Sequence, residues 1–101
     1  MQANHETFNI NGAVAVGTAL PVDRYSFKSI HIKPDGGNYS IDVSLDGTNW
    51  INLITNISVE KFYSTEDSGA NVLPKAVGFM RIVTNVAGGA PFANLFGHDP
   101  A

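Results

Sequence analysis

The chain has no cysteine, few charges, almost no helical periodicity and no long apolar run, and each absence narrows what it can be. Without cysteine there is neither a disulfide framework nor a thiolate metal site. Small secreted domains often rely on disulfides, so the expectation is a chain that folds in a reducing cytoplasm. Charged residues make up 15% of the 101 positions, well below the usual ~25%. The surface must therefore be rich in Asn, Ser, Thr and Gly. That is the character of a surface covered by partners, and equally of the charge-poor exterior of many small β-proteins. Net charge is −3, and the basic residues Arg24, Lys28, Lys33, Lys61, Lys75 and Arg81 are scattered. Binding to free nucleic acid is not expected, because phosphate recognition needs a concentrated basic face. The opening MQANHETFNIN is polar throughout, so no export signal is expected. No apolar run approaches the ~20 residues that a membrane span requires, and no membrane partner is expected.

What is present reads as β-structure. The length admits one domain, and at 44% apolar the chain has enough to build a core. Glycine and proline punctuate stretches of β-branched and aromatic residues, as in an all-β sequence. Residues 1–12 read as a polar arm with one apolar pair, Phe8 and Ile10. GAVAVGTAL alternates, with Val14, Val16, Thr18 and Leu20 on one face, and Pro21 ends it. RYSFKSIHIK follows, but Tyr25 and Phe27 point to one face while Ile30 and Ile32 point to the other. A β-bulge near Ser29 would restore a single buried face; alternatively both faces are covered. NYSIDVSL places Tyr39, Ile41, Val43 and Leu45 inward and Ser40, Asp42 and Ser44 outward. WINLI returns from the next turn. ISVEKFYS forms a strand with Ile57, Val59, Lys61 and Tyr63 on one side and Glu60 and Phe62 on the other. TEDSGANVLPK is the long loop, and VGFMRIVTNV, nearly continuously apolar, is expected to be central. FANLFG is the last strand before the polar tail. The reading is a single antiparallel β-sandwich of about eight strands, jelly-roll-like or immunoglobulin-like. It spans residues 13–98, with a tail at 99–101.

SLDGTNW, Ser44 to Trp50, is the most informative stretch. Asp46-Gly47 between alternating strands is a strong hairpin signal. Asp tolerates the left-handed region and bonds the backbone that follows it, and Gly supplies positive φ without steric cost. Trp50 then opens the return strand, where its ring can close over the hairpin base. The turn reading accounts for every residue. A calcium loop of the EF-hand kind would need further acidic ligands and a closing Glu. The sialidase-type pattern Ser-x-Asp-x-Gly-x-x-Trp fails because Gly47 directly follows Asp46. Carbohydrate stacking on Trp50, with Asn49 beside it, is chemically reasonable for an exposed indole, although such a Trp more often packs as a lid.

Other chemistry is thin. His5, His31 and His98 lie far apart, and none has a metal-ligand neighbour at the usual spacing. Glu66-Asp67 is an adjacent acidic pair in the long loop, read as solvated. Ser26 and Ser29 lack the context of a nucleophile elbow. Gly36-Gly37 and Gly88-Gly89 are turn glycines, since no helix follows them. No catalytic constellation, cofactor site or metal site is expected.

The succession S-L-D-G-T-N-W, then G-F-M-R-I-V-T-N-V-A-G-G, then G-H resembles small β-sandwich virion proteins of tailed bacteriophages. The matching positions are Ser44, Asp46, Gly47 and Trp50, then Phe79, Arg81, Ile82, Val83, Thr84 and Asn85, then Gly88-Gly89, within roughly residues 12 to 98. Discoidin-type domains share the D-G-x-x-W turn and the Arg-bearing strand, but they are usually longer and often disulfide-closed. The virion resemblance implies a non-enzymatic capsid cement or decoration protein, assembled in the bacterial cytoplasm and displayed on the capsid surface. Its implied partners are the major capsid protein or another virion protein, and further copies of itself as a trimer or dimer. On this reading the arm, through Phe8 and Ile10, orders against a neighbouring subunit. Exposed aromatics among Phe62, Tyr63, Phe92 and Phe96 supply further contacts. The alternative is a discoidin-like or carbohydrate-binding module on a tail or fibre. It would use Asn49, Trp50 and the loop from Thr65 to Asn71.

Overall fold

The computed structural model describes residues 3–10, 15–67, 69, 72–85 and 89–98. Eight strands are present: β1 (Ala3–Thr7), β2 (Leu20–Pro21), β3 (Phe27–Lys33), β4 (Tyr39–Ser44), β5 (Ile51–Ile57), β6 (Lys61–Ser64), β7 (Phe79–Thr84) and β8 (Phe92–His98). They form two antiparallel sheets, ordered β1-β8-β3-β6 and β2-β7-β4-β5. The pairing is nested: β1 joins β8, β2 joins β7, β3 joins β6 and β4 joins β5. The chain is thus one long antiparallel hairpin rolled so that β8 also meets β3 and β7 also meets β4. That is jelly-roll order, which resolves the choice left open by the strand pattern.

One core joins the two sheets. Ile30 and Ile32 of β3, Tyr63 of β6, and Ala93 and Leu95 of β8 meet Tyr39, Ile41 and Val43 of β4 with Met80 and Ile82 of β7. All are buried, as the period of two requires for strands with one apolar face turned inward. Tyr25 and Val22 on one connection and Leu73 and Val77 on another are also part of this core.

Several expectations need correction. The N-terminal segment is no arm awaiting a neighbour: Ala3–Thr7 pairs with β8, from Ala3↔His98 to Thr7↔Asn94. Phe8 and Ile10 then enter the core of their own chain, which removes them as contact residues and starts the sandwich at Ala3. Val16 makes an isolated bridge to Val83 and is exposed. Pro21 lies within β2, which is a sheet edge where a missing N–H is tolerated. Val14, the tail 99–101 and Ser68, Ala70 and Asn71 of the long loop lie outside the described residues.

β3 has no bulge, since its register with β8 is continuous from Phe27↔His98 to Lys33↔Phe92. Tyr25 precedes the strand, so its inward position sets no parity. The residue that shares the inner face with Ile30 and Ile32 is Lys28, which is buried. Its Nζ donates to the carbonyls of Tyr25 (2.7 Å) and Lys75 (2.9 Å), tying two connections to the strand. Burial lowers its pKa from the ordinary lysine value.

In β4, Asp42 and Ser44 are buried and Leu45 is exposed, the reverse of the alternation reading. β4 is an interior strand flanked on both sides, so Arg81 and Asn52 cover its outer face, and Leu45 already belongs to the turn. Ile57 ends β5, and the chain crosses to the other sheet before β6. Tyr63 is consequently a core residue and no contact residue.

Gly97 sits on the inner face of β8 against Tyr25, and a methyl there would lie 2.7 Å from Tyr25 Cγ. Tyr25 is anchored in turn, its hydroxyl donating to Glu6 Oε2 at 2.9 Å. Gly97→Ala is therefore expected to destabilise the fold by about 1–3 kcal/mol through overpacking. Urea unfolding measures this, and an unchanged midpoint would contradict the packing described.

Candidate interaction face

The SLDGTNW turn is built around one carboxylate. Asp46 Oδ1 accepts from the backbone N–H of Asn49 and of Thr48, both at 2.8 Å, and from Ser44 Oγ at 3.0 Å. Oδ2 accepts from Asn49 Nδ2 at 2.7 Å, and Gly47 N donates to Ser44 Oγ at 2.9 Å. Gly47 takes φ 82°, the left-handed region expected of it. The backbone donor of Asn49, then that of Thr48, then the Asn49 and Ser44 side chains hold the Asp46 carboxyl well below the usual carboxylate range.

Both proposed glycan contacts are engaged by the chain itself. Asn49 is committed to Asp46. Trp50 is half-buried, with the Arg81 guanidinium 4.1 Å from its ring centroid, a cation–π stack. Arg81 Nε also donates to Asp42 Oδ2 at 3.4 Å, and Asp42 Oδ1 accepts from Asn52 Nδ2 (2.8 Å) and Ser40 Oγ (3.0 Å). This network closes the outer face of the β2-β7-β4-β5 sheet around β4.

The outer face of the other sheet is different. β8 turns Ala93, Leu95 and Gly97 inward and Phe92, Phe96 and His98 outward. β3 turns Phe27, Ser29 and His31 outward, and Phe62 of β6 stands opposite His31. His5 of β1 stands opposite Phe96. Four of the six phenylalanines and all three histidines of the chain therefore share one sheet face.

Rings on this face touch one another. Phe27 stacks on His98 with centroids 4.8 Å apart, and Phe96 meets His98 edge-on at 6.3 Å. His31 meets Phe92 edge-on at 4.9 Å, and its Nε2 lies 2.6 Å from Glu60 Oε2. Phe62 is 62% exposed and Phe96 48%. A small depression of about 140 Å³ opens among Ser29, Ser64, Glu66, Phe96 and His98.

The sequence reading named Phe62, Phe92 and Phe96, which the fold brings onto this face, and it missed Phe27, His5, His31 and His98. The signal was the parity of FANLFGH, whose small residues alternate with rings. Among the described residues no group of three or more His, Cys, Asp or Glu is placed to hold a metal ion. Comparison of the chain with protein-family models, curated proteins and solved structures yields no match.

The turn carries a pH signature. Because the folded pKa of Asp46 is depressed, its stabilising effect is complete above the unfolded carboxylate range near ~4 and fades as pH falls toward the folded value. Asp46→Ala should lower the urea midpoint at pH 7, and the gap from wild type should shrink steadily below about pH 4. A gap that stays constant down to the lowest accessible pH would contradict this.

Proposed function

We propose that this protein is a non-enzymatic virion structural protein, a capsid decoration protein that docks on the shell through the outer face of its β1-β8-β3-β6 sheet. The observation that carries the reading is the clustering of Phe27, Phe62, Phe92 and Phe96 with the three histidines on that face. Aromatic rings are enriched where proteins meet, and an apolar patch left outside a core is a common mark of an interface. The charges around it are spread along its borders: Glu60 pairs with His31, Lys75 lies over the Phe27 ring, Glu66 borders the depression beside Phe96, and Lys33 lies at the end of β3. Such a face docks by ring packing and hydrogen bonds. It should therefore hold in salt that weakens charge-led contacts.

Rolled eight-strand sandwiches serve in viral capsids and in lectins alike, so the fold does not choose between them. A second reading, carbohydrate binding on a tail or fibre, is favoured by the depression where Glu66, Ser29 and Ser64 border the Phe96 and His98 rings. It would replace the surface around Asn49 and Trp50 as the glycan site.

Co-sedimentation with purified capsid shells of the encoding phage tests the main reading. The wild type should pellet in fixed stoichiometry at both low and high salt. Phe62→Ser with Phe96→Ser should weaken binding by at least about 30-fold, as loss of central aromatic contacts does, with the urea midpoint unchanged. A wild type that stays in the supernatant would overturn the proposal, as would a double variant that pellets normally. Loss of binding to a glycan array on Glu66→Ala would support the second reading instead.

A further inference from the structure

Four strands form the sheet edges: β1 and β6 in one sheet, β2 and β5 in the other. Exposed edges invite pairing with another chain, and proteins usually blunt them with charge or proline. β1 carries His5 and Glu6, β6 begins with Lys61 and is bridged by Val72, and the two-residue β2 contains Pro21. β5, INLITNI, has neither charge nor proline and is seven residues long.

Its sequence is also nearly the same in both directions about Ile54. Ile51 mirrors Ile57 and Asn52 mirrors Asn56, and the one mismatch is Leu53 against Thr55. Antiparallel pairing of two such strands about a two-fold axis sets isoleucine opposite isoleucine and asparagine opposite asparagine. No charge meets its like.

The surroundings of β5 suit the same occupant. Leu45 is 78% exposed and Ile51 67%, and with Leu53 they border an apolar groove of about 460 Å³. Trp50, Pro74 and Val77 complete its walls. Asp46, the one charged residue lining it, has its carboxylate taken up by the turn.

We infer that β5 joins two copies of this chain edge to edge about a two-fold axis at Ile54. Register shifts against β4 on both sides of Ile54, with Asn56 at φ 57°, keep the ladder between copies to a few bonds. The dimer is therefore reversible and dissociates on dilution. The inference stands independently of what docks on the opposite sheet, and it leaves that face outward on both copies.

Sedimentation velocity across a dilution series of the purified full chain is the test. The wild type should pass from dimer to monomer on dilution. Thr55→Lys, at an exposed position, should stay monomeric at every concentration, with the wild-type urea midpoint when both are compared at dilutions where the wild type is monomeric. Mixing Thr55→Lys with Leu53→Glu should restore a dimer, because position 55 of one copy faces position 53 of the other. A wild type that is monomeric throughout would overturn the inference, as would a Thr55→Lys chain that still dimerises or a mixture that stays monomeric.

Discussion

The Asp46 carboxylate holds the one turn on which the rolled chain depends. Every strand pair of the nested set, β4 with β5 outward to β1 with β8, is laid down on either side of Ser44–Trp50. A slip of one residue at this tip would exchange inner and outer faces along β4 and β5. Four acceptor contacts to a single side chain, with Gly47 in the left-handed region, fix the tip by local chemistry alone. What looked like a candidate motif is thus a structural device. Its Trp50 serves the same end, stacked with the Arg81 that reaches Asp42.

Legibility in the sequence followed the distance over which each interaction acts. The turn could be read because its determinants lie within a few residues of one another. The inward trio Tyr39, Ile41 and Val43 could be read because period-two alternation is local. The N-terminal strand could not, because its partner is β8 at the far end of the chain, with Ala3 paired to His98. HETF shows no alternation of its own, and Phe8 and Ile10 gain their burial from the core beyond. β3 misled in another way: the opposite parity of Tyr25 and Phe27 against Ile30 and Ile32 suggested a bulge. Tyr25 instead precedes the strand, Phe27 faces outward, and the inner position after it is filled by Lys28, whose ammonium donates to two carbonyls.

The same limit explains the candidate face. Phe62, Phe92 and Phe96 could be named as contacts, but not the face they share, because a strand hides only alternate side chains and which set is hidden depends on the partner sheet. β8 spends its inner positions on Ala93, Leu95 and Gly97, the last left small for Tyr25. Its rings are then forced outward, and those of β3 and β6 join them. The two sheets thereby have different outer surfaces: one closed by the Asp42, Arg81 and Trp50 network, the other a field of rings. On the readings proposed above, such a module would present its ring-bearing face to a larger assembly and its uncharged β5 edge to a second copy.

The account turns on whether the ring-bearing face is the working surface. Carbene footprinting of the protein, free and bound to capsid shells, reads this side chain by side chain. The account predicts that labelling of Phe62, Phe96 and His98 falls on binding while that of Val16, across the molecule, is unchanged. Unchanged labelling at Phe62 and Phe96 in a bound state that protects Val16 would contradict it.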